Sequence, residues 1–314
     1  MFKVFPYDDS KKQLWNDFVV ASRNATFILN RDYMDYHRAR VIDASLIIVD
    51  DNGNIAALFA ASAHNGEIRA HGALTYGGLI LPYSSPASSV IDIFGIIIDY
   101  YRDNGFSGLI YKSIPHIYHK YPCDEDIYAL FRNGASVCEC NLSAAVCLRH
   151  PLKFNQNSRR NLSKAINANL TVKQSDDFVA YWQLLSSMLK SRHNTAPVHS
   201  IDEISYLHNR FPDSIKLYVA EQSGNMLAGV VLYITDKVAH CQYIASSPRG
   251  FEVGALALIF SHLIDDLSHN TDIEYFDFGT SNENHGLTLN EGLIQQKYGF
   301  GGRGVAYPSY KIDL

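Results

Sequence analysis

Cysteine is scarce in this chain. Cys123, Cys138, Cys140, Cys147 and Cys241 are an odd number, and none pairs at a CxxC spacing. That pattern argues against a disulfide framework or a structural zinc site as the basis of the fold. Excess charge of either sign is also missing: 27 Lys and Arg against 32 Asp and Glu leave a formal charge of -5. The global balance therefore gives no reason to expect nucleic acid as a partner, although a local basic patch can still hold phosphate. Long apolar runs are missing too. The most apolar helical candidate, SVIDIFGIIIDYY, is interrupted by Asp92 and Asp99 and is too short for a bilayer. The opening residues, MFKVFPYDDSKKQLW, carry no apolar signal core. Together these absences predict a reduced, cytoplasmic, globular protein, with 47% hydrophobic residues to build its core.

The chain repeats one plan. LIIVDDNGNIAALFAAS (46–62) alternates apolar residues about an Asn-Gly turn, a hairpin signal. LYVAEQSGNMLAGVVLY (217–233) does the same, with Gly224 and Asn225 standing where Gly53 and Asn54 stood. Each hairpin is followed by a strand (75–81; 238–246), a long apolar helix (87–103; 253–268) and a buried strand (107–113; 273–279). Each half then offers a short helix ending near glycine, YALFRNGA and LIQQKYGFGG, and a last strand. A repeated order of elements predicts two related α/β domains, each a mixed, mostly antiparallel sheet flanked by helices. The boundaries expected are 1–150, a basic junction helix over 151–174, and 175–314. The junction, residues 149–174, contains Arg149, Lys153, Arg159, Arg160, Lys164 and Lys173 and no Asp or Glu. Such a run reads either as a solvated connecting helix or as a clamp for phosphate oxygens.

Polar groups concentrate in YFDFGTSNENHG, where Asp277, Thr280, Ser281, Asn282, Glu283, Asn284 and His285 crowd the end of an apolar strand. Loops at strand ends on a rigid scaffold are common seats of chemistry. Glu283 and His285 are candidates for base and proton shuttle, with Asp277 orienting a histidine or a turn. Asn282 and Asn290 can orient a hydroxylated acceptor, and Lys297 and Arg303 a phosphate or carboxylate. Lys297 reads equally as the last-turn cation of its helix. A second cluster, RHNTAPVHSIDEI, holds His193, Asn194, His199 and Ser200. Ser200 and Glu203 have capping-box spacing, and His199 is the acceptor-binding candidate there. In the first half His71 and Tyr76, beside Gly77-Gly78, are candidates to line a substrate groove, with Lys112 a weaker one. No HxxxH or Cys pair points to metal.

The stretches NSRRNLSKA (157–165), VAHCQYIASS (238–247) and YFDFGTSNENHG leading to QQKYGFGGR resemble the GNAT-related acyltransferases, in the double-domain branch that includes the Fem-type aminoacyl transferases. The resemblance covers most of the chain. It implies acyl transfer from an acyl-CoA-type donor to an amine, on an amino sugar or nucleotide-linked sugar of the cell envelope. The second domain would hold donor and chemistry, and the first the acceptor. It also implies two alternatives: a Fem-like aminoacyl transferase using charged tRNA, or a GNAT-fold binding protein without catalysis. By resemblance, backbone N–H groups near Tyr243 and Ala245 face the donor carbonyl, and Ser246, Arg249, Gly250 and Gly254 form the phosphate loop. Glu252 departs from the family pattern, since a carboxylate there repels a diphosphate. Strand alternation would put His240, Gln242 and Ile244 on one face and Cys241, Tyr243 and Ala245 on the other. Arg159, Arg160, His199 and Gln242 complete the candidate substrate contacts, and Cys241 reads as a buried structural thiol.

Overall fold

A computed structural model describes residues 1–314, the side chains of His37 and His193 excepted. The chain forms two compact units. The first comprises Met1–Asn141, Glu283–Thr288 and Ala306–Leu314, and the second Leu142–Asn282 and Leu289–Val305. Both predicted hairpins form. Their turns place Gly53 and Gly224 at φ +83° and +81°, a region that suits glycine. Among the described residues, no helix is long and apolar enough to cross a membrane.

In the first unit a four-stranded antiparallel sheet runs in the order Lys3–Pro6, Leu46–Val49, Ile55–Ala60, Gly78–Ile80. The helix Ala87–Asp103 buries Val90, Ile93, Phe94, Ile97, Ile98 and Tyr101, the 3.6-residue stripe its sequence announced. That stripe packs with Leu46, Ile48, Phe59 and Leu79 of the sheet, and with Leu109 and Tyr111 of the strand Gly108–Lys112. Glu67–Arg69 pairs parallel to Gly108–Lys112 on one side, and residues 309–313 pair antiparallel on the other.

The second unit supplies the elements that matter for the site, labelled here in chain order. They are helix α1 (Gln156–Asn167), strand β1 (Thr171–Ser175), helices α2 (Phe178–His193) and α3 (Ile201–Arg210), and strands β2 (Ile215–Gln222), β3 (Asn225–Ile234) and β4 (Val238–Ser246). Helices α4 (Pro248–Val253) and α5 (Ala255–Asn270), strand β5 (Tyr275–Thr280) and helix α6 (Glu291–Gly299) follow. The sheet order is β1-β2-β3-β4-β5 and then residues 143–147. Every pairing is antiparallel except β4 with β5. The expected capping box at Ser200 and Glu203 is present. Helix α5 covers one face, where Phe260 meets Phe278 and Phe300 edge-on at centroid distances of 5.0 and 5.1 Å. Helix α2 packs on β3 and β4. The basic segment of the junction is α1. It belongs to the second unit and packs along α5, burying Ser158 and Ala165.

Strict alternation along β4 fails. Val231 pairs with Tyr243, but Leu232 pairs with Cys241, so Gln242 is the extra residue of a β-bulge. Residues directly opposite across an antiparallel pair share a face. Cys241 and Ile244 therefore share the α5 face with Leu232 and Val230, while His240, Tyr243 and Ala245 share the opposite one. The bulge reverses the predicted partnership of Ile244 with His240.

Candidate active site

Strands β4 and β5 begin side by side and then part. Their parallel ladder runs Val238–Tyr275, Ala239–Phe276 and His240–Asp277, and stops. Beyond it β4 continues to Ser246, and β5 turns at Gly279, whose φ is +80°. The gap leaves β4 from Cys241 to Ser246 without a strand partner on that side, and Ile244, Ala245 and Ser246 there border a cavity of about 170 Å³. Ile244, Leu256, Phe260, Phe278 and Phe300 form apolar walls, with Met188 across from them. Arg192 stacks over Phe251 at the rim, its guanidinium carbon 4.0 Å from the ring centroid. Lys297 also lines this cavity. No Asp or Glu is among its lining residues.

Lys297 is 6% exposed, and its ammonium is fully engaged. Nζ donates to the carbonyls of Gly279 and Thr280, each at 2.7 Å, and to Ser281 Oγ at 2.9 Å. Burial pulls its pKa down to about 8, against the opposing charge of Asp277. With all three protons committed, Lys297 pins the end of β5 and sets a cation behind the cavity.

Asp277 is fully buried and accepts from three donors: Ser143 Oγ, the Gly279 N–H at 3.1 Å, and His240 Nδ1 at 2.8 Å. An ionised carboxylate here assigns the ring proton to Nδ1 and leaves Nε2 of His240 as the acceptor. The His240 side chain is 15% exposed, enough to be reached. Gly279 ties the two groups together. A Cβ at that position would come within 3.3 Å of His240 Cε1, and its carbonyl holds Lys297. Sequence reading assigned Asp277 an orienting role but missed His240 as its partner. The available signal was an ionisable residue inside each of two apolar strands.

The other predicted residues scatter. Glu283 and His285 lie on a small exposed hairpin of the first unit, where Asn284 and His285 have φ of +50° and +52°. His285 is 85% exposed and lies 3.7 Å from Glu139. Asp277 belongs to the second unit, and the chain changes unit between it and Glu283. His199 is buried: its ring and N–H both meet the Tyr243 hydroxyl, and its carbonyl accepts from Trp182 Nε1 at 3.0 Å. It latches the loop after α2 onto β4. Burial pushes the Tyr243 phenol up to about 12. The side chain of His193, the other histidine of that cluster, lies outside the described residues.

Asn282 Oδ1 accepts from the Leu142 N–H, and Asn290 caps α6 through the Leu293 N–H at 3.0 Å, so both serve the backbone. Arg303 is exposed and bends back to the Gly302 carbonyl. In the first unit His71 is 2% exposed, and burial pulls its pKa to about 4; Tyr76 is 3% exposed and hydrogen-bonded to Thr26. Lys112 reaches the Leu74 carbonyl at 3.4 Å. Cys241 is buried, as expected. Among the described residues, no group of three His, Cys, Asp or Glu is arranged to hold a metal.

The loop expected to seat a diphosphate is a capped helical turn. Gly250 N–H donates to Ser247 Oγ at 3.0 Å, and Arg249 pairs with Glu252 at 3.1 Å. Gly254, at φ +76°, is pressed against α1: a Cβ there would lie 2.2 Å from the Asn161 carbonyl oxygen. Ser246 is buried behind Gly250. Ser246, Gly250 and Gly254 line a small space of about 60 Å³.

Residues 153–285 match the family described as Acetyltransferase (GNAT) domain. No curated protein matches the chain. Among solved structures the chain is similar to FemX, at a TM-score of 0.71 and 10% identity over 99% of this chain and 97% of that one. It is also similar to the C-terminal domain of a putative lysylphosphatidylglycerol synthetase from Agrobacterium fabrum, at 0.63 and 15%, covering 96% and 91%. A tandem GNAT protein from the clavulanic acid pathway follows at 0.53 and 11%, covering 100% and 98%. The fold is that of tandem GNAT-like domains, and the stretch that matches the acetyltransferase model lies in the second half of the chain.

Proposed function

We propose that the second unit moves an acyl group from an activated ester or thioester onto a primary amine, at the gap between β4 and β5. The observation that carries this reading is the apolar cavity beside β4 with the Lys297 cation in its wall; Asp277, the opposing charge to that lysine, holds His240 at 2.8 Å. The acyl chain occupies the cavity among Phe260, Phe278 and Phe300. Its carbonyl lies along the unpaired edge of β4 near the Gln242 bulge, where Tyr243 and Ala245 contribute backbone. The neutral amine attacks that carbonyl to form the C–N bond. Backbone N–H groups and the cation of Lys297 stabilise the oxyanion. His240 Nε2 takes the proton the nitrogen sheds, and Asp277 stabilises the imidazolium. The C–S or C–O bond then breaks, and the leaving group picks up that proton.

The acceptor we assign is an amine on an amino sugar or nucleotide-linked sugar. A separate cleft of about 670 Å³ in the first unit supports an anionic acceptor: Arg38, Arg40, His64 and Arg69 line it, and no carboxylate does. The test is a screen of nucleotide-linked amino sugars with several acyl donors, read by product mass. Wild type should yield a product heavier by one acyl group. The reading falls if His240→Gln acylates as fast as wild type.

A further inference from the structure

The turn between β4 and α5 is where a GNAT-fold protein would seat a diphosphate, at a helix N-terminus. Here several amides of the turn are spent within the second unit. Gly250 N–H is spent on Ser247 Oγ, Phe251 N–H on the Ser247 carbonyl, and Gly254 N–H on the Phe251 carbonyl. Gly250 is backed by the Leu227 carbonyl and Gly254 by the backbone of α1 at Asn161. What remains is a space of about 60 Å³ touching Asn161, Ser246, Gly254 and Gln296. That volume holds about two water molecules. A diphosphate is larger than that space, and Arg249 at the turn is already paired with Glu252 at 3.1 Å.

The helix that closes the seat also offers something outward. Arg159, Arg160 and Lys164 of α1 and Lys153 just before it are exposed, and none forms an ion pair among the described residues. Four unpaired cations within about one helix length make a compact docking surface for acidic side chains, on the helix whose Asn161 lines the small space that shares Ser246, Phe251, Leu256, Gln296 and Phe300 with the acyl cavity. The cavity adds a constraint on the cargo. Its charged lining groups are Arg192 and Lys297, with no carboxylate. An α-ammonium would be repelled there, whereas an apolar chain of about five or six heavy atoms fits the 170 Å³.

We propose that the donor is a short acyl thioester delivered on the pantetheine arm of an acidic carrier protein that docks on the basic face of α1, and that coenzyme A held by its diphosphate is not the donor. The inference rests on the acyl-transfer reading above. In the transfer the carrier's C–S bond breaks, the amide C–N bond forms, and the carrier leaves as the free thiol with the proton relayed through His240.

The test compares hexanoyl carrier protein, hexanoyl-CoA and alanyl-tRNA as donors to nucleotide-linked amino sugars, using the whole chain. The expected result is transfer from the carrier protein, with kcat/KM at least tenfold above that from hexanoyl-CoA. Arg159→Glu/Arg160→Glu/Lys164→Glu should raise KM for the carrier by tenfold or more and leave kcat within about twofold. These residues are exposed, so the variant should fold, and unchanged unfolding would confirm it. Equal or better transfer from hexanoyl-CoA, or transfer from alanyl-tRNA alone, overturns the inference and leaves acyl transfer standing. Transfer from none of the three, by folded protein, overturns both.

Discussion

Alanine at Gly254 separates two costs that the structure predicts should add. The first is conformational: Gly254 sits at φ +76°, where a side chain costs about 1–2 kcal/mol. The second is steric, because the new Cβ would stand 2.2 Å from the Asn161 carbonyl oxygen and 2.8 Å from its carbon, both backbone atoms of α1. Forcing α1 away from α5 costs about 1–3 kcal/mol more by the scale of overpacked cores. The sum is about 2–5 kcal/mol. Gly53 provides the control, since it has φ +83° and nothing within 4 Å, so Gly53→Ala carries the conformational part alone. The two tryptophans, Trp15 and Trp182, fall one in each unit. In a Trp15→Phe background, fluorescence in urea follows the second unit through buried Trp182. Gly254→Ala should lower the urea midpoint with little change in slope. Wild-type stability for Gly254→Ala would refute the claim that α1 rests on this turn, and with it the closed seat.

Further predictions concern single groups. Tyr243→Phe removes the hydroxyl that holds the His199 ring and N–H, and should cost about 1–3 kcal/mol in the same urea assay; full activity loss without a stability change would mean that the pair acts on substrate instead. Burial raises the Asp126 carboxyl to about 6, so its protonated form favours the fold. Its contribution is present below about pH 4 and lost as pH rises through 6, a difference of at most about 3 kcal/mol. Asp126→Asn should flatten that part of the first unit's stability profile, read through Trp15 in a Trp182→Phe background, and an unaltered profile would contradict the assignment. Glu283→Gln/His285→Ala should keep turnover within about twofold, because both side chains are exposed on the hairpin; a loss of a hundredfold or more would restore them as catalytic groups.

The tandem plan was legible because its signals are local. Asn52-Gly53 and Ser223-Gly224 mark turns by their own backbone preferences, and the Val90-to-Tyr101 stripe shows its period without any partner. The site was less legible because tertiary structure makes it. His240 and Asp277 meet only when two strands pair in parallel across a helical crossover. The Gln242 bulge depends on the register with β3. Glu283 and His285 follow Asp277 closely in sequence, but they belong to the first unit and Asp277 to the second, a division that sequence spacing does not show. Glu252 was visible as a departure from the phosphate-loop pattern. That α1 occupies the seat behind it was not, because the contact at Gly254 is between backbones.

The measurement that bears most directly on the account is acyl transfer to an amino sugar by His240→Gln and Asp277→Asn, compared with wild type at several pH values. The account predicts a loss of about 10²–10⁴ in kcat for His240→Gln. Asp277→Asn should give a smaller loss and an altered pH profile, since it acts through the histidine. Wild-type kcat and pH profile in a folded His240→Gln protein would contradict it.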